Sequence, residues 1–361
     1  MKKRVWVGSI LLLLLGITIF FLEIRGNFKS DKTEAGSDTA SVLVPEKASD
    51  SKSIDNVSNV ENYTYESKSS KKQKILLLKD LEFSFYEELL IPGMPYTKKA
   101  DYEKNYIFSE SQCPQGMCFT DEYIMLTSYS EGDTILGELM VFDRRDGSYL
   151  VTLGMDPESH LGGISFDGEN VWVCNSNKDY IERLSYDFIQ LMVESNRGNV
   201  VDASEIVDIY PIQNSPSCIT YYEGRLFVAT HKVHSKSEVV AYYFDKLTDS
   251  LCPLSSYTIP EKVQGMAFDN EGAVYLSTSY GRNASSYLKK YESFADMATQ
   301  PNQPSVSVEL PPCSEEIEII EDTIYLLFES GGEKYFSGTD GNGSSQYPID
   351  KILMIERGGL Y

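Results

Sequence analysis

Short apolar runs and polar turns alternate along residues 105–361. The runs are rich in Val, Ile, Phe and Tyr, and Tyr alone occurs 25 times in the chain. These residues favour strands over helices. In each group a first run leads into a turn rich in Asp, Glu, Gly or Asn, and a second run follows, as in "LGGISFDGENVWV". The alternation predicts an all-β domain built from antiparallel strands.

The groups recur along the chain at a nearly constant spacing. Their first strands begin at five anchor positions, which are separated by 47, 55, 47 and 51 residues. The anchors are Gly116, Gly163, Cys218, Gly265 and Glu316. Two of these glycines stand in the same tripeptide, Gln-Gly-Met, and a glycine fits a position near an axis where neighbouring backbones crowd. Four short strands per repeat of about fifty residues are typical of a β-propeller blade.

The number of blades depends on how the ring closes. The fifth repeat ends after its third strand, which is predicted at residues 351–356. Residues 105–109 stand just before the first anchor, where a fourth strand would be, and their pairing with the C-terminal blade would leave no free edge. We therefore predict five blades of four strands, with residues 74–104 packed against one face. The alternative is six blades, if residues 75–86 form strands of their own.

The N-terminal region has the pattern of an exported protein. A basic tail at residues 1–4 precedes an uncharged apolar run at residues 5–22, which is long enough to cross a bilayer as a signal-anchor. Residues 23–73 are mostly small and polar, and predict a disordered stalk. We expect a single-pass protein of the cell membrane with its propeller domain, residues 105–361, on the extracytoplasmic side. Secretion after cleavage of a signal peptide is the alternative.

The charge of the chain limits its partners. The formal net charge is −22 at pH 7, which excludes a nucleic-acid partner because phosphate binding needs a basic face. The acidity suits a soluble extracytoplasmic domain, which we expect to be a monomer, and leaves open the attraction of cations.

The motifs "PQGM", "LGGISFDGENVWV" and "VQGMAFDNEGAVYLSTS", together with the blade spacing, resemble those of bacterial extracytoplasmic propellers of the YncE-like and SMP-30/gluconolactonase-like group. The resemblance covers residues 105–361. It implies the propeller fold and leaves the function within the group open, since activities there range from lactone hydrolysis to ligand or partner binding.

The candidate site is a funnel on the propeller axis. In a propeller, the loops before strand one and after strand two of every blade open on the same face. The polar residues predicted there to bind a ligand are Gln115, Ser217, Gln264, Arg282, Glu315 and Glu329. Our first hypothesis is that the funnel binds a small molecule or a cell-envelope partner. An equally simple interpretation is that these side chains only hold the ring closed.

An enzyme is the alternative function. Gluconolactonase-like propellers hold a divalent metal through Glu, Asn and Asp, and Glu315 or Glu316 with Asn175 matches part of that set. No aspartate falls at a comparable position, so we expect no cofactor, with Ca²⁺ or Zn²⁺ as the alternative. Streptogramin-lyase propellers use a histidine near the axis as base, a role that His160 or His231 would fill in a lactonase-like, esterase-like or lyase-like enzyme.

Six cysteines in an exported domain suit disulfide formation. Cys113 and Cys313 each stand three residues before an anchor, in blades that become neighbours when the ring closes, and are our candidate disulfide pair. Cys118, Cys174 and Cys218 lie in predicted inner strands, where a buried thiol packs as a small apolar group.

Overall fold

The structure is a computed structural model that describes residues 83–86, 99–101, 106–108, 113–129, 136–156, 159–332, 334–335, 338–345 and 348–360. In chain order the strands are β1 (Phe83–Phe85), β2 (Lys99–Asp101), β3 (Tyr106–Phe108), β4 (Cys113–Phe119), β5 (Tyr123–Tyr129), β6 (Glu138–Asp143), β7 (Tyr149–Gly154), β8 (Ile164–Phe166), β9 (Asn170–Asn175), β10 (Tyr180–Ser185), β11 (Val200–Asp202), β12 (Asp208–Pro211), β13 (Cys218–Tyr222), β14 (Arg225–Thr230), β15 (Ser237–Asp245), β16 (Ser250–Ile259), β17 (Val263–Phe268), β18 (Val274–Thr278), β19 (Ser286–Tyr291), β20 (Val306–Leu310), β21 (Ser314–Ile320), β22 (Thr323–Phe328) and β23 (Leu353–Glu356). The helices are α1 (Tyr186–Ser195) and α2 (Phe294–Thr299), with short 3-10 turns at Glu329–Gly331 and Arg357–Leu360.

Five antiparallel sheets of this set are the blades of a propeller. Blade 1 is β4-β5-β6-β7, blade 2 is β8-β9-β10-β12, blade 3 is β13-β14-β15-β16, blade 4 is β17-β18-β19-β20 and blade 5 is β21-β22-β23-β1. The first strands of successive blades contact one another, and β21 of blade 5 contacts β4 of blade 1, so the ring is closed. The prediction of an all-β propeller with five four-stranded blades is confirmed.

The strand that completes blade 5 differs from the one we predicted. It is β1, which pairs antiparallel with β23 so that Phe85 lies opposite Leu353. Residues 105–109 were expected in this place, but β3 within them pairs with β2. The Phe-Ser-Phe alternation of β1 explains the choice, because Phe85 is buried in the core that blades 4 and 5 share. Part of the segment assigned to packing against one face, residues 74–104, is therefore a blade strand.

Blade 2 carries an insertion that the strand pattern did not indicate. Ser185 caps α1, since its side-chain oxygen accepts a hydrogen bond from the amide of Phe188. The helix buries Ile189 and Val193 in a core shared by blades 1 and 2. The chain then forms β11, which adds to β7 of blade 1 in parallel. Helix and strand together join the outer parts of blades 1 and 2.

The anchor glycines lie where neighbouring blades approach most closely. A Cβ atom on Gly163 would stand 2.7 Å from the Cα atom of Cys218 in blade 3. A Cβ atom on Gly265 would stand 2.7 Å from the carbonyl oxygen of Glu315 in blade 5. Backbone atoms cannot yield to such contacts, so glycine is required at both positions.

The predicted membrane segment falls outside the described part of the chain. Residues 1–4, the anchor at 5–22 and the stalk at 23–73 all precede the first described residue. Among the residues from 83 onward that the structure describes, no helix has the length and apolar character to cross a bilayer.

All six cysteines are free thiols, and the predicted bridge between Cys113 and Cys313 is not formed. The two sulfur atoms face different loops: that of Cys313 lies 3.8 Å from the carbonyl oxygen of Gly281, whereas Cys113 packs beside Gly332. Burial raises the pKa of the Cys313 thiol. The two residues lie where the first strands of neighbouring blades begin, as predicted, but their thiols are buried in different places.

Candidate functional site

A polar cavity of about 720 Å³ opens on the axis, at the face where the first strands begin and the second strands end. All five blades contribute to its lining. The structure brings to it every residue that we predicted to bind a ligand, and both candidate histidines. These are Gln115, His160, Ser217, His231, Gln264, Arg282, Glu315 and Glu329.

Two glutamates of blade 5 form the centre of this cavity. Glu315 and Glu329 are hydrogen-bonded to each other. The side-chain amide of Gln264 in blade 4 donates to Glu315 at 3.0 Å, and that of Gln115 in blade 1 donates to Glu329 at 3.2 Å. The repeated Gln-Gly-Met tripeptide thus has a structural meaning: its two glutamines come from the blades on either side of blade 5 and hold that blade's two carboxyl groups.

The pKa values of the two carboxyl groups are both raised, and the rise is larger at Glu315. Burial raises the pKa of Glu315 well above its ordinary value, and the charge of Glu329 and the hydrogen bond between the two raise it further. Burial also raises the pKa of Glu329, but the charge of Lys334 and hydrogen bonds from Tyr335 and Gln115 oppose this. Glu315 is therefore the protonated partner, and its proton is donated to the Glu329 carboxylate.

Lys334 supplies the positive charge next to this pair. Its ammonium group donates to the hydroxyl of Tyr129 at 2.5 Å and lies 4.8 Å from the ring centre of Tyr335. The side chain is almost fully buried. A buried ammonium group needs an anionic partner, and Glu329 provides it.

Arg282 lines the cavity but is engaged by the loop that follows Glu329. Its guanidinium donates to the carbonyl oxygens of Lys334 at 2.9 Å and Gly343 at 2.6 Å, and forms an ion pair with Asp340. It also lies 4.4 Å from the ring centre of Tyr335. The predicted ligand-binding arginine therefore fastens one wall of the funnel to blade 4.

The two histidines differ in their surroundings. The ring of His231 contacts the carbonyl oxygen of Val263 through Nδ1 at 3.1 Å, and since a carbonyl only accepts, Nδ1 carries the hydrogen. Burial lowers the pKa of His231, which favours the neutral ring with an unprotonated Nε2. His160 is exposed and stacks on Tyr129 with the ring centres 4.1 Å apart.

The charges of the lining residues are largely paired with one another. Lys334 stands against Glu329 and Arg282 against Asp340, while Glu315 keeps its proton and His231 is neutral. The funnel is thus close to neutral although the chain as a whole carries −22.

Of the predicted metal ligands, Glu315 lines the cavity, and Asn175 and Glu316 do not. Asn175 donates from its side-chain amide to Glu182 at 2.8 Å and to Asp156 at 3.2 Å, within and beside blade 2. Glu316 is buried and accepts a hydrogen bond from the amide of Ile317. The irregular register between Ser314 and Ile317 separates Glu316 from Glu315, which alone reaches the funnel.

Across the described residues, no group of three or more His, Cys, Asp or Glu side chains is arranged to hold a metal ion.

Sequence reasoning missed the part of the site that comes from the loop between β22 and β23. This loop contributes Lys334, Tyr335, Asp340 and Asn342 to the cavity. A signal was present, because the interval between the second and third strands is far longer in blade 5 than in the other blades. The aromatic residue Tyr129, at the end of β5, was also missed.

Comparisons with known proteins give no family for the chain. No family model matches it, and no curated protein matches. Among solved structures, a nidogen/laminin complex matches with a TM-score of 0.38 at 12% identity, over 62% of this chain and 74% of the other. The glutaminyl cyclase of Myxococcus xanthus matches with a TM-score of 0.38 at 10% identity, over 68% and 92%.

The hydrazine synthase of Kuenenia stuttgartiensis matches with a TM-score of 0.37 at 9% identity, over 60% of this chain and 56% of the other. All three likenesses are distant, and no family evidence supports the YncE-like or SMP-30-like resemblance of the motifs. What stands is the architecture itself, a five-bladed β-propeller.

Proposed function

We propose that this propeller is a binding module that takes a small, uncharged, hydroxyl-rich ligand of the carbohydrate or polyol class in its funnel. The observation that carries the proposal is a polar cavity of about 720 Å³ whose charged groups are paired with one another. An ionic ligand would find little unpaired charge to bind, whereas a neutral polar ligand only needs hydrogen-bonding groups.

Several of the hydrogen-bonding groups that remain are acceptors, beside hydroxyl groups such as that of Tyr280, which can accept or donate. Gln115 and Gln264 use their amide nitrogens on the glutamate pair, so their side-chain oxygens point to no partner among the described residues. His231 likewise keeps Nε2 as an acceptor. Hydroxyl groups of a ligand are the complementary donors.

Aromatic surface at the mouth suits the same class of ligand. His160 and Tyr129 form a stacked pair, and Tyr280 lines the cavity while 52% of its surface is exposed. Flat rings of this kind pack against the C–H faces of a sugar ring and leave its hydroxyl groups to polar partners.

The test is calorimetric titration of the full-length protein with matched small molecules. Glucose, N-acetylglucosamine and maltose represent the neutral class, with glucosamine and gluconate as charged counterparts. At least one neutral compound should bind with a Kd of about 1 mM or tighter, and Tyr280→Ala should weaken that binding. Tyr287→Ala, at an exposed tyrosine outside the cavity, is the matched control.

The proposal fails if only the charged compounds bind, or if none of the five does. It also fails if the Tyr280 and Tyr287 variants bind a neutral compound equally well.

His231 supports a second candidate function, that of a lactone or ester hydrolase. Its fixed tautomer and lowered pKa leave Nε2 free to take a proton at neutral pH, as a general base must. Turnover of a chromogenic ester or a lactone that disappears in His231→Gln and persists in His160→Gln would favour the enzyme. Absence of turnover in the unaltered protein would exclude this class of substrate.

The place of the funnel in the cell is part of the proposal. If residues 5–22 anchor the chain, the funnel faces the extracytoplasmic side and meets ligands or partners of the cell envelope. Protease added to intact cells should then release the propeller, and a full-length chain confined to the cytosolic fraction would contradict the anchor.

A further inference from the structure

A second cavity, of about 600 Å³, lies beside the far ends of the inner strands of blades 1, 2 and 5. Phe119, Phe166 and Ile320 line it, and these residues end the inner strands β4, β8 and β21. Gln115 and Glu315 of the funnel stand near the beginnings of β4 and β21. The two cavities are therefore at opposite ends of the same strands.

The walls of this second cavity are aromatic on two sides. On one side Phe119 packs against Tyr325 with ring centres 4.8 Å apart. On the other side Phe166 packs against Tyr186 of α1 at 4.7 Å. These rings give the cavity an apolar character that the funnel lacks.

Arg144 is the polar group that distinguishes this cavity. Seven arginines fall in the described residues, and four of them form ion pairs: Arg145, Arg183, Arg282 and Arg357. Two others, Arg197 and Arg225, are exposed. Within the described chain, Arg144 alone is half-buried and has no carboxylate within ion-pair distance, in a protein with an excess of acidic groups.

The position of Arg144 is fixed by its neighbours. Its backbone amide donates to the carbonyl oxygen of Glu122 at 2.9 Å, and its backbone carbonyl accepts from the hydroxyl of Tyr86 at 2.5 Å. One arm of the guanidinium donates to the carbonyl oxygen of Thr120 at 2.7 Å, and the group lies 5.7 Å from the ring centre of Phe119. The other nitrogens have no partner among the described residues and remain available for a ligand.

We propose that this cavity binds a small organic acid with one carboxylate and an aromatic body. The carboxylate would pair with the free edge of the Arg144 guanidinium, which matches a carboxylate in geometry. The aromatic body would lie between Phe119 and the Phe166–Tyr186 pair. This site is separate from the funnel and does not depend on what the funnel binds.

Acidic neighbours restrict the ligand to a single negative charge. Asp121 and Glu122 also line the cavity. The Glu122 carboxylate is engaged by the amide of Gln190 at 2.9 Å and by the hydroxyl of Tyr186 at 3.3 Å, whereas Asp121 is exposed. A dianion such as phosphate would be repelled by both groups, so an aromatic monocarboxylate should bind better than inorganic phosphate.

The experiment is titration of the full-length protein with 3-phenylpropionate, with 3-phenylpropionamide and inorganic phosphate as comparison compounds. We expect a Kd of about 1 mM or tighter for the acid. Loss of a hydrogen-bonded charge pair should weaken binding by about tenfold or more for the amide, and for the acid in Arg144→Gln. The affinity of Arg144→Lys for the acid should lie between those of the unaltered protein and Arg144→Gln, because lysine keeps the charge but lacks the paired N–H donors of arginine.

Two controls keep the test specific. Arg225→Gln removes an exposed arginine of blade 3 that does not line the cavity, and should leave binding unchanged. Tyr280→Ala, in the funnel, should also leave it unchanged. Equal thermal unfolding midpoints of the unaltered, Arg144→Lys and Arg144→Gln proteins would show that a loss of binding is not a loss of folding. If Arg144→Gln does not fold, the affinity of Arg144→Lys for the acid decides the test.

The proposal is overturned if 3-phenylpropionate does not bind below about 10 mM, or if its amide or phosphate binds as tightly. It is equally overturned if Arg144→Gln folds and binds the acid normally, or if the Tyr280 variant abolishes binding.

Discussion

The contact between blades 2 and 3 and the contacts on either side of blade 5 are built differently. Between blades 2 and 3, the backbone of Gly163 lies against the backbone of Cys218, with no room for a side chain. At blade 5, Gly265 allows an equally close approach, but the side chains of Gln264 and Glu315 then add a polar bond above it. At these inner positions the first contact is between backbones alone, whereas the second also includes a buried carboxyl group.

This difference divides two tasks around one ring. A backbone contact is rigid and insensitive to solution conditions, since it contains no titratable group. The protonation of the pair formed by Glu315 and Glu329 depends on pH, and the same pair forms the centre of the funnel. Residues of blades 2 and 3 line the funnel as well, but of these two contacts only the one at blade 5 adds a side-chain bond to a group that can titrate.

The largest effect should follow from weakening the outer edge of blade 5. Phe85→Ala removes a buried ring from the core shared with blade 4 and loosens the strand that completes the blade. Loss of a buried phenylalanine costs about 3–5 kcal/mol of unfolding free energy, measured by urea denaturation. Phe83→Ala, at a half-buried ring of the same strand, should cost less. Equal losses for both variants would contradict the assignment of Phe85 as the core residue.

A large effect, independent of pH, should come from the contact between blades 2 and 3. Gly163→Val places side-chain atoms against the backbone of blade 3 and should destabilise the fold by about 3 kcal/mol through overpacking. Thermal unfolding at several pH values measures it. Gly358→Ala is the control, because a Cβ atom there meets nothing within 4 Å. A tolerated valine at position 163 would show that the blades can separate at this point.

Glu315 should contribute to the pH dependence of stability, beside Glu316 and Glu318, whose pKa values burial also raises. A buried carboxyl with a raised pKa keeps its proton in the folded chain, while the unfolded chain loses it above a pKa of about 4.5. The folded state then binds more protons, so stability falls as pH rises from about 4.5 toward the raised pKa, at up to about 1.4 kcal/mol per pH unit for one group.

Glu315→Gln is designed to remove the contribution of Glu315 to this slope. A glutamine amide donates to Glu329 as the protonated carboxyl does, and has no proton to lose. Denaturation curves between pH 5 and pH 8, within about that window, should show the variant gaining stability relative to the unaltered protein as pH rises. Glu182→Gln is a comparison, because burial raises the pKa of Glu182 to about 7 at a place outside the funnel. An unchanged slope in the Glu315 variant would refute the raised pKa of Glu315.

The smallest effect should be a local one in the funnel wall. Arg282→Gln removes the ion pair with Asp340 and weakens the bonds to the loop that carries Lys334. Hydrogen exchange should become faster across residues 338–345 while the blades keep their protection. The side chain of Arg145 is 85% exposed, so Arg145→Gln should change neither the exchange of residues 338–345 nor that of the blades. Faster exchange in the blades of the Arg282→Gln protein as well would mean that the arginine stabilises the whole ring.

The repeat pattern was sufficient to predict the blades, because each inner strand must satisfy the same close contact and therefore shows the same anchor. Gly116, Gly163 and Gly265 carried that signal. Outer strands make no such close contact, so the pattern did not distinguish residues 83–85 from residues 105–109 as the closing strand. Only the packing of Phe85 against the core decides between them.

The candidate site was predictable in part for a related reason. Blade geometry places Gln115, Gln264 and Glu315 at the same height on the axis, so their convergence follows from the repeat. Lys334 and Tyr335 come from a loop outside the repeat, and no periodicity points to them. The partner of Arg282 was equally hidden, since Asp340 lies in that loop. The residues of regular strands were thus predicted, and those of the long loop were not.

The closing strand also determines how the propeller would respond to force. The first and last described strands, β1 and β23, lie side by side in blade 5, and β1 is held by three paired residues at the outer edge. Tension on the chain before Phe83 would act directly on β1 and not on the inner strands. The outer strand would detach first, at a load set by the withdrawal of Phe85 from the core. Pulling from this end would therefore open the ring at blade 5 before any inner strand is loaded.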